Sequence, residues 1–165
     1  MANGRMPLGI LRSVSILESL NDQELETLER ILQVVHVRAG ERVLEEGTEV
    51  TALYIVCDGV VHVRRLAQKR EMLLGRLGVG GFFGEINLFD PGVATASIYA
   101  MKAVTLAVID YGIMREFMSN NPAAGYKIVS AMMTEMARRL RQTSSRLVNT
   151  VYWSSNEAMG SGQPS

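Results

Sequence analysis

The chain has 165 residues, 47% hydrophobic and 21% charged, and its 17 basic and 17 acidic side chains cancel. That is the composition of one globular domain with extensions, long enough to bury about 70% of the surface its unfolded chain exposes. It excludes an internal disulfide, since Cys57 is the only cysteine, and it excludes attraction to nucleic acid by an overall positive field.

No apolar run approaches the ~18 residues of a membrane span, and the N-terminus lacks a basic-then-apolar leader. A cytoplasmic protein that does not engage membranes is expected. The charge is uneven: residues 16–49 carry nine acids against three bases, and residues 126–165 carry five bases against two acids. Such asymmetry fits either solvated faces or surfaces that pair between subunits.

The first element is a short helix in "LNDQELETLERIL". Asn21 stands as its N-cap with Glu24 three residues on, the spacing of a capping box, and Leu25, Leu28, Ile31 and Leu32 share one face. From Val34 to Asp110 short β-prone runs alternate with glycines: "VVHV", "RVL", "ALYIVC", "VVHVRRL", "EMLLGRL", "TASIYAM" and "VTLAVID". Asp58-Gly59, between two of them, reads as a hairpin turn. Seven or eight strands so spaced predict an antiparallel barrel or jelly roll.

Helix returns at Asn121-Pro122, with Asn as cap and Pro at the first helical position. Tyr126, Val129, Met133, Met136, Leu140, Thr143, Leu147 and Val151 then recur at spacings of three and four, a stripe like a coiled-coil seam. A helix of roughly 40 Å exceeds what a small barrel covers. Its distal part is therefore expected to pair with another chain; the alternative folds it back onto its own barrel. The boundaries read as a helical segment over 1–33, a barrel over 34–110, dimerising helices over 111–152 and a disordered tail over 153–165.

Over about residues 15–150 the sequence resembles the cyclic nucleotide-binding domain family. "AGERVLEEGTEVTALYIVCDGVVHV" is similar to the family's first half, with Gly40, Gly47 and Gly59 at its turn glycines, and "LGVGGFFGEINLF" to the approach to its phosphate-binding cassette. "MARRLRQTSSRLVN" resembles the dimer helix of the bacterial catabolite activator branch. The resemblance implies a mainly β fold with flanking helices: a double-stranded β-helix (jelly-roll) barrel plus a long C-terminal helix.

It also implies a site for a cyclic nucleotide, cAMP or cGMP, or a related anion, in a homodimeric sensor that acts in signal transduction. Cassette contacts would come from Phe83, Gly84, Glu85 and Ile86, then from Ala94, Thr95 and Ala96. Glu85 would take the ribose 2′-hydroxyl and Thr95 the cyclic phosphate. Amide groups at the start of the cassette helix would face the anion. Thr143 and Ser144 match the pair that reads the base; their alternative role is a polar step that fixes the register of a seam.

The departure is Ala94, where the family places an arginine. Losing one partner of a buried charge pair costs about 2–5 kcal/mol, or roughly 30-fold to a few thousand-fold in affinity. Arg64, Arg65, Arg76 and Arg139 are the cations that could take its place. The expectation is therefore a stand-alone regulatory module with atypical or weakened nucleotide binding, the anion resting on helix amides and Thr95 if no other arginine reaches in. The alternative is a ligand-free dimeric interaction scaffold that has lost nucleotide binding.

His36 and His62 lie far apart with no third ligand at metal spacing, so they read as strand residues and no metal is expected. "RRLAQKR" reads as a solvated hairpin tip, alternatively as a docking patch for an acidic partner. No nucleophile–base constellation and no phosphate-binding glycine-lysine loop is present, so an enzyme is not expected. No helix-turn-helix follows Val151, and direct DNA binding is not expected either.

Overall fold

A computed structural model describes residues 8–160 of the protein. A five-residue helix, α1 (Leu8–Arg12), leads into α2 (Asp22–Glu29). The capping box forms as its spacing predicts: Asn21 Oδ1 accepts from the Glu24 N–H at 2.9 Å, and the Asn21 N–H donates to Glu24 Oε2 at 2.8 Å. Leu25 and Leu28 are buried, while Ile31 and Leu32 fall beyond the helix.

Eight strands follow: β1 (Gln33–Val37), β2 (Arg42–Leu44), β3 (Ala52–Asp58), β4 (Val61–Ala67), β5 (Arg70–Leu77), β6 (Phe82–Phe83), β7 (Ser97–Ala100) and β8 (Val104–Asp110). They build two four-stranded antiparallel sheets, ordered β1-β8-β3-β6 and β2-β7-β4-β5. Among the described strands only β4 and β5 are both consecutive and adjacent, so the chain otherwise crosses between sheets, as in a jelly roll. Val56, Phe83, Val104 and Leu106 from one sheet meet Val61, Ile98 and Ala100 from the other in a buried apolar cluster.

This topology corrects one turn. Asp58-Gly59 does not close a hairpin; it carries the chain from β3 in the first sheet to β4 in the second. Glycine is required there, because φ is +87° and a Cβ would lie 2.5 Å from Val104 Cγ1. The hairpin is β4–β5, turned by Gln68 (φ +48°) and Lys69 (φ +66°) at the tip of the basic "RRLAQKR" run.

Between β6 and β7 lies a one-turn helix, α3 (Glu85–Phe89), and after β8 come α4 (Tyr111–Asn120) and α5 (Pro122–Gly160). Asp110 caps α4, its Oδ1 accepting from the Gly112 and Ile113 N–H groups at 2.7 and 3.3 Å. Asn121 precedes Pro122 as predicted, yet its side chain serves the helix before it: Nδ2 donates to the Phe117 carbonyl at 3.0 Å. α5 continues to Gly160 rather than ending near 152, a length of about 58 Å at 1.5 Å per residue. The rest of the expected tail, 161–165, lies outside the described residues. The chain divides into two compact units, Met1–Val129 with the barrel and Ser130–Ser165 with most of α5.

Candidate functional site

The site grows from the edge of the first sheet. β6 has only two residues, paired with β3 through Tyr54↔Phe83 and Ile55↔Phe82. The Phe83 ring lies parallel to Tyr54, centroids 4.9 Å apart and planes 2° off. This stack fixes the direction in which the chain leaves the sheet. Gly84 then turns it at φ +83° into α3.

A Cβ at Gly84 would lie 2.6 Å from the Ala52 carbonyl oxygen and 3.3 Å from the Tyr111 hydroxyl, so both backbone angle and space demand glycine. The Tyr111 hydroxyl donates a hydrogen bond to the Gly84 carbonyl. At the other end of α3, Arg115 Nη2 donates to the Leu88 carbonyl at 2.7 Å.

Glu85 opens α3 and is buried, 6% exposed, and engaged within the fold. Burial pushes the Tyr111 phenol well above its ordinary value, and the neighbouring Tyr54 and Glu85 push it further. Tyr111 is thus a neutral donor at physiological pH. Ile86 is 40% exposed on the outward face of the same turn. Asn87, buried, donates from Nδ2 to the Val93 carbonyl at 3.3 Å and so ties α3 to the loop that follows.

That loop brings in the second group of predicted residues. Val93 bridges to Glu49. Ala94 is 5% exposed, with its N–H bonded to the Thr48 carbonyl at 2.8 Å and its carbonyl accepting from Gly47 at 2.9 Å. Thr95 is exposed and Ala96 half-buried. Ser97 Oγ accepts from the Glu46 N–H at 2.9 Å. The structure thus places Phe83 to Ile86 at the entry to α3 and Ala94 to Ala96 in the loop after it, with the hydrogen bond from Asn87 to Val93 tying the two segments.

Three of the four arginines that could stand in for one at Ala94 have partners elsewhere. Arg64 pairs with Glu71 at 3.1 Å and lies over the Tyr99 ring at 5.1 Å. Arg65 pairs with Glu46 at 3.3 Å, and Arg139 with Glu135 at 2.9 Å. Arg76 sits on β5 opposite His62.

Thr143 and Ser144 belong to the other unit, on the exposed middle of α5. The Thr143 hydroxyl donates to the Arg139 carbonyl at 2.9 Å, one turn back in its own helix.

His36 bonds Thr105 across strands at 3.1 Å, and His62 is buried; burial, then Arg76 and Arg64, hold the His62 imidazole below its ordinary value. Cys57 is buried too, which pushes its thiol up. Among the described residues no three His, Cys, Asp or Glu groups could hold a metal, and no helix is long and apolar enough to cross a membrane.

Sequence reasoning missed Tyr54, Asn87, Tyr111 and Arg115. The only trace of the last two is their i, i+4 spacing behind the Asp110 cap, which does not say what α4 packs against.

Among the described residues, eight antiparallel strands in two sheets, an αL glycine and a one-turn helix between β6 and β7 define a jelly-roll domain. Residues 34–121 match the cyclic nucleotide-binding domain, and the chain belongs to that family. A CRP-like cAMP-activated global transcriptional regulator of Mycobacterium tuberculosis is 31% identical over 144 residues, 87% of this chain and 62% of the relative. The chain thus spans less than two thirds of that protein's length. The N-terminal domain of a transcriptional regulator from Streptomyces coelicolor superposes with a TM-score of 0.69 at 29% identity, covering 84% of this chain and 94% of that domain. A cyclic nucleotide-binding domain from Methylobacillus flagellatus shares the fold, with a TM-score of 0.78 at 21% identity over 87% of this chain and 81% of its own.

Proposed function

We propose that this chain is a non-enzymatic regulatory module whose cassette takes a cyclic nucleotide, cAMP or cGMP, with affinity reduced by the alanine at 94. The observation that carries this reading is the turn at Gly84 into α3, with Glu85 buried and the following loop tied back by the bond from Asn87 to Val93, in a chain of this family. The cAMP-activated name of the M. tuberculosis relative favours cAMP as the first ligand to test. Without a cation at 94 the phosphate rests on amide groups and the Thr95 hydroxyl, which sets the expected loss at roughly 30-fold to a few thousand-fold.

The module pairs with a second copy through α5. Met133, Leu140 and Leu147 recur every seven residues and are 60%, 68% and 64% exposed, and Tyr126 stands seven residues earlier at 76%. Thr143 lies within this stripe, three residues after Leu140. Ligand signals by binding one arrangement of the helices better than another; equal affinity for both would transmit nothing.

Isothermal calorimetry with cAMP, cGMP and cyclic dinucleotides tests the reading, with weak heats for cAMP or cGMP expected. Silence from all of them at millimolar concentration would favour the second reading, a dimeric interaction scaffold. That second reading is supported by the commitment of Arg64, Arg65 and Arg139 to carboxylates.

A further inference from the structure

We propose that Tyr111 and Arg115 of α4 are positioning residues that hold the cassette helix α3 at both ends, so that α4 sets how well the cassette binds. This rests on the reading of residues 83–96 as a nucleotide site.

α3 has five residues, too few to persist on its own backbone bonds. Two of its carbonyls are held from outside. Gly84 O receives the Tyr111 hydroxyl and Leu88 O receives the Arg115 guanidinium at 2.7 Å. Leu88 O is one of the last carbonyls of the helix, which have no donor within it, so Arg115 completes the helix end from another element.

The two contacts share a register. Gly84 and Leu88 are four residues apart, and so are Tyr111 and Arg115, about 6 Å along a helix in each case. One turn of α4 is therefore matched to one turn of α3. The guanidinium also lies 5.9 Å from the centre of the Tyr111 ring, so the two donors support each other. Tyr111 is 6% exposed, stays protonated and cannot turn away to water.

A displacement of α4 by an ångström or two breaks a bond at one end of α3 or carries α3 with it. Because α4 leads through Asn121 directly into α5, the same clamp joins the cassette to the start of the long helix.

The test uses the full chain and two readouts. Residue-resolved amide exchange is measured on ligand-free wild type, Tyr111→Phe, Arg115→Met and Arg115→Lys. Loss of a neutral hydrogen bond predicts about fivefold faster exchange at the α3 amides in Tyr111→Phe. Loss of a charged donor predicts tenfold or more in Arg115→Met, partly restored in Arg115→Lys. Amides of the β1–β8 pair are expected to stay within twofold.

Unchanged α3 amides in both variants would overturn the proposal, and so would a uniform rise across the barrel, which marks ordinary core packing. Should Tyr111→Phe not fold, the two Arg115 variants carry the test alone. For the second readout, cAMP affinity is measured in the Ala94→Arg background, where Tyr111→Phe and Arg115→Met are each expected to weaken it at least fivefold. Affinities within twofold of the parent would overturn the positioning role while leaving the site reading intact. If the parent binds no cyclic nucleotide the site reading fails, and the exchange result then decides the clamp by itself.

Discussion

Gly84→Ala tests the geometry of the cassette entry, and Gly47→Ala serves as its control. The two glycines share the same positive φ, +83° and +82°. Either alanine meets the left-handed cost of roughly 1–2 kcal/mol, offset by about 0.4–1 kcal/mol from a less flexible unfolded chain. The net is about 1 kcal/mol at each site.

Their surroundings differ. Nothing lies within 4 Å of a Cβ at Gly47, whereas at Gly84 it would sit 2.6 Å from the Ala52 backbone oxygen. That oxygen is a backbone atom of β3, a strand paired with β8 in the first sheet, and cannot retreat as the end of a flexible side chain can. Overpacking of this kind costs about 1–3 kcal/mol, and a strained Tyr111 hydrogen bond adds up to about 1 kcal/mol.

Urea denaturation of the two variants side by side is therefore expected to place Gly84→Ala about 2 kcal/mol below Gly47→Ala. With a slope near 2 kcal/mol/M that is a midpoint difference of about 1 M. Equal midpoints would refute the claim that space, and not only backbone angle, requires glycine at the entry to α3.

His62 has a lowered folded pKa, so the folded state binds its proton less readily than the unfolded state does. Stability from this group is present above the unfolded value near 6.5 and is lost as pH falls through it toward the folded value. His62→Gln is expected to flatten the melting temperature between pH 7 and 5 relative to wild type, and an unchanged slope would contradict the cause. At the β4–β5 tip, Gln68 and Lys69 both occupy positive φ, the pattern that Asn-Gly satisfies best. The double change Gln68→Asn, Lys69→Gly is expected to stabilise by about 0.5–1 kcal/mol and raise Tm by a few degrees. Leu140→Glu places a charge in the exposed stripe of α5 and is expected to convert a dimer into monomers by sedimentation, with the barrel's melting little changed.

Most of the fold was legible in the sequence because its signals are local. The capping box at Asn21 and Glu24 needs only four residues to be recognised, and seven of the eight strands announce themselves as β-prone runs between glycines. β6 does not, because two phenylalanines carry no alternation; only pairing with β3 makes them a strand. Asp58-Gly59 was misread because a turn glycine fixes φ without saying whether the next strand stays in its sheet. Asn121 shows the same limit, since either neighbouring helix could use its side chain.

Within the site, the turn at Gly84 and the alanine at 94 were legible by resemblance. The supports were not. Tyr111 and Arg115 act across 27 residues of chain on backbone carbonyls, which have no signature in the side chains they join.

The central claim is that a nucleotide cassette persists here and lacks chiefly its cation. Calorimetric titration of cAMP into wild type and Ala94→Arg tests this most directly. The restored guanidinium would supply the charge-assisted contact to phosphate, and the account predicts binding tightened by at least 30-fold. An Ala94→Arg protein that folds like wild type and gains no affinity for cAMP or cGMP would contradict it, and would leave α3 and its loop as the frame of an interaction scaffold.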